Sequence, residues 1–101
     1  MGRAKRAIPR LLPEKLLQIR LTLGESQEGM AKLLDHTEAP GRNYVSGFEL
    51  GTREPTLAVL ARYADIVNCW LDVLIRDELL LPLPPWPCKT KSEGIRRNRH
   101  R

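Results

Sequence analysis

The chain has 101 residues, enough for one domain, and 42% of them are hydrophobic while only 5% are aromatic. No apolar run approaches the roughly 20 residues that a membrane span needs, and the basic first ten residues lack the apolar stretch of a secretory signal. Cys69 lies in an apolar context and Cys88 in a proline-rich one, which does not suggest a disulfide framework. We therefore expect a reduced, cytoplasmic protein with a core of aliphatic side chains.

The net charge of +5 is distributed unevenly along the chain. Residues 1–10 carry +4, residues 11–88 carry seven basic and eleven acidic side chains, and residues 89–101 carry six basic side chains and one glutamate. All of the excess positive charge is therefore at the two ends. Basic ends can bind DNA phosphates without sequence preference, and the alternative is a solvated tail that keeps the protein soluble.

Two helices are predicted in the first third of the chain. The spacing of apolar residues predicts a helix over 13–23. Pro13 is suited to the first helical position and Gly24 to the end of the helix. Ser26 is a suitable N-cap for a second helix that ends near Asp35. The stretch 35–41 then has the composition of a turn.

Three further helices are predicted after this turn. The third covers 42–50 and buries Val45 and Phe48, with Gly51 as its stop. The fourth begins at Pro55 or Thr56 and ends at Val67, where Asn68 can adopt a left-handed cap. The fifth covers 71–80, and no strand is expected anywhere.

The remaining residues are not expected to be helical. Four prolines within 81–87 favour an extended polyproline segment, and residues 89–101 have no periodicity and should be mobile. The apolar strip 79–87 either folds back on the bundle, which we favour, or covers a partner protein. The predicted organisation is a basic arm over 1–12, a helical domain over 13–80, a proline-rich segment over 81–88 and a basic tail over 89–101.

Several short sequence motifs in the helical region occur together in one known family. They are Ser26-Gln27 at the start of the second helix, Ala31 within it, the string VSGFELGTREPTL over 45–57, and NCWLDVL over 68–74. In this order and spacing they resemble the lambda-repressor-like (Xre or Cro/CI) family of helix-turn-helix domains, over about Leu16 to Ile75. The resemblance implies an all-α, compact five-helix bundle that contains a helix-turn-helix and binds double-stranded DNA.

The resemblance also implies roles for the third helix. It would enter the major groove with its N-terminal residues Arg42 and Asn43 toward base edges, which Arg and Asn side chains can read with two hydrogen bonds. Ser46 and Gly47 are expected one turn further along the exposed face. Tyr44 is expected either to contact the DNA backbone or to cover the helix as a half-buried ring.

The resemblance assigns supporting roles to residues around this helix. Arg20 and Glu49 would form an ion pair between the first and third helices, whereas the alternative is two exposed charges. Gln27 would bind a phosphate and brace the third helix, assisted by the backbone N–H groups of Ser26 and Gln27. Thr52 and Arg53 would contact the flanking DNA backbone, although Arg53 could instead pair with Glu54 or be a solvated charge.

Two departures from the family pattern affect these assignments. The connection between the second and third helices is about four residues longer than the usual tight turn, and its His36 could contact DNA. Gly47 stands where a longer polar side chain is common. An alternative is therefore a degenerate member that no longer reads bases.

Enzymatic and metal sites find little support in the sequence. The only histidines, His36 and His100, are not spaced with cysteines as metal ligands, and no nucleophile has an evident base. We expect no catalytic residue, metal or cofactor. The expected function is a transcriptional regulator, a repressor that binds a pseudo-palindromic operator as a homodimer. The alternative is the antitoxin of a toxin–antitoxin pair, with residues 79–87 contacting a protein partner.

Overall fold

The computed structural model describes residues 9–35, 41–92 and 95–97. Its elements in chain order are α1 (Leu12–Leu23), α2 (Gln27–Leu33), α3 (Gly41–Leu50), α4 (Leu57–Val67), α5 (Leu71–Ile75), β1 (Leu79–Leu80) and β2 (Arg96–Arg97). Residues 1–8 of the basic arm, residues 36–40 of the predicted turn and His100 lie outside the described residues. Helices α1 to α4 begin and end within about two residues of the predicted positions.

Local capping signals explain these helix boundaries. The Ser26 Oγ accepts a hydrogen bond from the Gly29 N–H at 2.9 Å, and the Thr56 Oγ1 accepts one from the Val59 N–H at 3.2 Å. Gly24 ends α1 with a φ of 73°, and Asn68 ends α4 with a φ of 59°. The predicted N-cap at Ser26 and left-handed cap at Asn68 are therefore confirmed.

The five helices and β1 surround one hydrophobic core. Helix α2 packs on α3, and α1 contacts α3, α4 and α5. Most core side chains are aliphatic, and Tyr63 is the largest of those that are fully buried. The buried apolar residues from α1 to β1 are Leu12, Leu16, Ile19, Met30, Ala31, Leu34, Val45, Phe48, Leu60, Tyr63, Ala64, Val67, Cys69, Val73, Leu74 and Leu79.

The prediction of a fifth helix over 71–80 is wrong, because α5 ends at Ile75. In a longer helix the carbonyl of Val73 would accept the N–H of Asp77. Instead Lys15 of α1, which is buried, donates from Nζ to the carbonyls of Val73 at 2.6 Å and Arg76 at 2.9 Å. Burial lowers the pKa of the Lys15 ammonium, although the nearby Asp77 carboxylate opposes this shift.

Asp77, which follows α5, accepts hydrogen bonds from the start of α1. Its carboxylate oxygens accept the backbone N–H groups of Arg10 at 3.1 Å and Leu11 at 3.0 Å, at the start of α1. The hydrogen bond from Leu11 lowers the pKa of the Asp77 carboxyl. The start of α1 and the end of α5 are thus held together by Lys15 and Asp77 from both sides.

The expectation that no strand would be present is also wrong, so the fold is mostly helical rather than all-α. β1 pairs antiparallel with β2, with Leu79 opposite Arg97 and Leu80 opposite Arg96. Arg96 also donates from Nη2 to the carbonyl of Leu81 at 2.6 Å. Because of this pairing, residues 95–97 of the basic tail do not form the expected unstructured segment.

The proline-rich segment folds back on the bundle, as favoured, but does not extend as a polyproline helix. The Trp86 Nε1 donates to the carbonyl of Pro82 at 3.1 Å, which requires the chain to turn. The Cys88 N–H donates to the carbonyl of Val67 at 2.9 Å. Pro82 is buried and Trp86 packs against the core, whereas Leu83 is 65% exposed. The strip is therefore covered in part by its own chain, while Leu83, Pro84, Pro85 and Pro87 remain exposed.

None of the helices in the described part of the chain combines the length and the apolar character needed to cross a membrane.

Candidate nucleic-acid interface

Helix α3 has one exposed side and one buried side. Arg42 and Asn43 are exposed, Ser46 is half-buried, and Leu50 is 72% exposed at the C-terminal end. Asn43, Ser46 and Leu50 are spaced by three and four residues, so they share a face of the helix. We call Arg42, Asn43, Ser46 and Leu50 the α3 stripe. Its first turn carries the donors and acceptors that the sequence assigned to base contacts.

Leu50 is the member of the stripe that sequence reasoning missed. From the sequence, Leu50 was expected as the last residue of the third helix and not as a site residue, whereas its side chain is exposed on the outer face. Its spacing of seven residues from Asn43 was the signal that could have placed it there.

The ion pair predicted between α1 and α3 is present. The Arg20 Nε donates to the Glu49 Oε2 at 2.7 Å, and the Arg20 Nη2 donates to the Glu49 Oε1 at 3.0 Å. The side chains are 15% exposed for Arg20 and 4% for Glu49. Two parallel hydrogen bonds to a charged acceptor fix orientation as well as distance. The hydrogen bond to Glu49 raises the pKa of the Arg20 guanidinium.

The same carboxylate also joins α2 to α3. The Gln27 Nε2 donates to the Glu49 Oε1 at 3.2 Å, and the Arg20 Nη1 donates to the carbonyl of Glu25 at 3.0 Å. The predicted bracing of the third helix by Gln27 is therefore present, while its predicted phosphate contact stays a prediction. Glu49 is the common acceptor for α1 and α2, so its position sets how α3 lies on both helices.

Tyr63 of α4 lies close to this ion pair. Its Oη is buried and has no hydrogen-bond partner among the described residues. Burial raises the pKa of the Tyr63 hydroxyl, and the Glu49 carboxylate adds to this shift while Arg20 opposes it. The phenol therefore stays neutral beside the charged pair at physiological pH.

The C-terminal end of α3 is closed by a Schellman motif. Gly51 has a φ of 79°, the Thr52 N–H donates to the carbonyl of Gly47 at 3.0 Å, and the Gly51 N–H donates to that of Phe48 at 3.3 Å. The Arg53 N–H also donates to the Gly47 carbonyl, at 3.2 Å. The loop after α3 is thereby folded back onto the helix.

Gly47 was expected on the exposed face of α3, and this expectation is wrong. Gly47 is buried, because the returning loop covers it. A Cβ atom at this position would lie 2.9 Å from the Arg53 Cβ, closer than real Cβ contacts allow. The glycine therefore makes room for Arg53 rather than presenting its own surface to a groove.

Arg53 and Tyr44 contact each other on the outer side of α3. The Arg53 Cζ lies 4.3 Å from the centroid of the Tyr44 ring, a cation–π arrangement. Arg53 is exposed, whereas the Tyr44 ring is half-buried and packs against the core. The half-buried ring was one of the two arrangements expected for Tyr44.

The start of α2 is less suited to a phosphate than the sequence suggested. The Ser26 hydroxyl already accepts the Gly29 N–H. The carboxylate of Glu25 lies against Gly29, in the space that a Cβ atom there would occupy. A phosphate near Ser26 and Gln27 would therefore meet a negative charge.

A second exposed surface lies where α5 meets β2. Trp70 is 48% exposed and Ile95 46% exposed. They line a groove together with the charged residues Asp72, Arg76, Glu78 and Arg97. We call this the Trp70 groove.

No group of three or more His, Cys, Asp or Glu side chains is arranged to hold a metal within residues 9–35, 41–92 and 95–97. Comparisons with protein-family models, with curated protein sequences and with solved structures found no match to this chain.

Proposed function

We propose that the protein is a sequence-specific DNA-binding protein in which α2 and α3 act as a helix-turn-helix. The observation that carries the proposal is the combination of exposed polar side chains in the first turn of α3 with a buried carboxylate, Glu49, that braces the last turn of the same helix. Arg42 and Asn43 are exposed in the first turn, while Glu49 is held by Arg20 and Gln27. A rigid helix with donors on its free side suits the major groove of B-DNA, which admits one α-helix.

The proposed role is transcriptional regulation, in the form of a repressor that binds DNA as a homodimer. One helix contacts only a few base pairs, so a single copy would have low specificity. Two copies related by a two-fold axis would place their α3 helices about 34 Å apart, on successive turns of one face of DNA. The basic segments at both ends of the chain would add contacts to phosphates.

Selection from a random pool of DNA duplexes with the full chain tests this function. We expect enrichment of an inverted repeat whose half-sites are separated by about one helical turn, roughly 10 base pairs. Asn43→Glu places a carboxylate in the first turn of α3, where an acidic residue favours the helix itself. It should lower affinity for the selected duplex at least about tenfold, since like charges facing each other cost several kcal/mol.

Thr22→Glu is the matched control, because it adds the same charge at an exposed position of α1. It should change affinity much less than Asn43→Glu. Failure to enrich any motif would reject the proposed function, and equal effects of the two variants would reject α3 as the DNA-contacting element.

The second candidate function is that of an antitoxin that also regulates its own gene. It requires an apolar surface for a protein partner. Within residues 79–87, Leu79, Leu81 and Trp86 pack in or against the core, so the exposed Trp70 and Ile95 of the Trp70 groove serve this role better. Tryptophan is among the residues most enriched at the energetic centres of protein interfaces.

A further inference from the structure

Arg53, in the loop after α3, is held against that helix through both its backbone and its side chain. The Arg53 N–H is bonded to the carbonyl of Gly47, and the Arg53 guanidinium lies over the ring of Tyr44. Both contacts are made to the same helix, three residues apart. An exposed arginine normally samples many rotamers, and ordering it on a ligand costs conformational entropy. Arg53 is therefore already restrained before any ligand arrives.

Gly47 is required for this arrangement. A Cβ at residue 47 would meet the Arg53 Cβ at 2.9 Å and would also lie 3.5 Å from the Arg53 Nε and the Thr52 Oγ1. The first atom belongs to the part of the side chain next to the backbone, which cannot move without the loop. Any larger residue at position 47 would push Arg53 off Tyr44.

The restrained guanidinium retains its binding capacity. Stacking on a ring occupies the face of the guanidinium plane, while its N–H donors lie in that plane at the edge. A planar set of donors matches two oxygens of a phosphate group. Arg53 is exposed and lies three residues after Leu50, the last residue of the α3 stripe, so a phosphate beside a groove occupied by α3 would be within the reach of its side chain.

We propose that Tyr44 and Gly47 are positioning residues, which do not contact DNA but hold the guanidinium of Arg53 for one phosphate of the DNA backbone. This inference rests on the proposed function. It changes the roles that the sequence suggested for both residues, since each acts through Arg53.

A double-mutant cycle on the selected duplex tests the proposal. Arg53→Ala should lower the slope of log affinity against log salt concentration by about 0.9, the value of one phosphate contact. Tyr44→Leu should weaken binding about two- to fivefold, which is the size of an exposed cation–π contact. In the Arg53→Ala background, Tyr44→Leu should have no further effect on affinity. Gly47→Ala should behave like Tyr44→Leu.

Tyr44→Phe and Arg53→Lys separate positioning from simple packing. Phenylalanine keeps the ring face, so Tyr44→Phe should bind like the unmodified protein. Arg53→Lys keeps the charge and loses the planar fork, so it should retain most of the salt dependence and respond less to Tyr44→Leu than the unmodified protein does. In the free protein, the Arg53 Nε–H proton should show a ring-current shift that Tyr44→Leu abolishes and Tyr44→Phe preserves.

The possible results distinguish failure of the positioning role from failure of the proposed function. Additive effects of Tyr44→Leu and Arg53→Ala, or a loss with Tyr44→Phe as large as with Tyr44→Leu, would overturn the positioning role while leaving selective DNA binding intact. Absence of selective binding by the unmodified protein would instead overturn the proposed function together with this inference.

Discussion

Glu49→Ala is expected to lower the free energy of unfolding by about 3 kcal/mol, at the lower end of the range for breaking a buried ion pair. Three donors lose their acceptor at once: Nε and Nη2 of Arg20 and Nε2 of Gln27. The Arg20 side chain is only 15% exposed, so water cannot fully replace the lost carboxylate. For a domain of this size the melting temperature should fall by roughly 12 °C or more. Thermal unfolding followed by circular dichroism measures it.

Glu78→Ala is the control for this variant. Glu78 also accepts a hydrogen bond from an arginine, the Nη1 of Arg76 at 3.2 Å, but both side chains are more than half exposed. Exposed pairs contribute little to stability, so the melting temperature should hardly change. Equal, small effects of Glu49→Ala and Glu78→Ala would show that the Arg20–Glu49 pair does not brace α3.

Arg42→Ala is expected to relax base discrimination by the proposed DNA-binding protein. A bidentate contact between an arginine and a guanine is worth about 1–3 kcal/mol of discrimination, or about 5- to 150-fold in relative affinity. Arg42 lies exposed in the first turn of α3, where such a contact would be made. The preference should disappear at one or two base pairs of each half-site and persist at the others. Competition binding with single-base variants of the selected duplex measures this.

The control removes a different exposed arginine. Arg76→Ala deletes a cation directly after α5 whose partners are Asp72 and Glu78, so it should leave the base preference unchanged. If Arg42→Ala weakened binding equally on selected and random duplexes, its contact would be with a phosphate and not with a base.

The features predicted correctly from the sequence are those encoded over a few residues. Ser26, Gly24 and Asn68 end or begin helices through their own side chains or backbone preferences, and the structure places them at those positions. The Arg20–Glu49 pair joins residues 29 positions apart. It was found through the family resemblance, since neither residue's local spacing identifies the partner.

The features that were missed depend on partners far along the chain. At the end of α5, the carbonyls of Val73 and Arg76 accept hydrogen bonds from Lys15, which lies 58 and 61 residues earlier in the chain. The carbonyl of Leu81 accepts a hydrogen bond from Arg96, which lies 15 residues later. The spacing of Lys15 with Leu12 and Ile19 on the buried face of α1 was a signal that its ammonium needed an internal acceptor.

The outcome at Gly47 has a different cause. Helical periodicity places Gly47 one turn from the exposed Asn43, but it carries no information on the loop that covers this position. Its burial comes from Arg53, which returns over the helix after Gly51. The sequence identified both residues as parts of the site but not the contact between them.

Whether α3 meets DNA is tested most directly by titrating the isotope-labelled protein with the selected duplex and following the backbone amide chemical shifts. We predict that the largest changes occur at Arg42, Asn43, Ser46 and Arg53, with small changes at Trp70 and Ile95. Changes concentrated at the Trp70 groove, or none on the α3 stripe at saturating duplex, would contradict the claim that α3 is the surface that meets DNA.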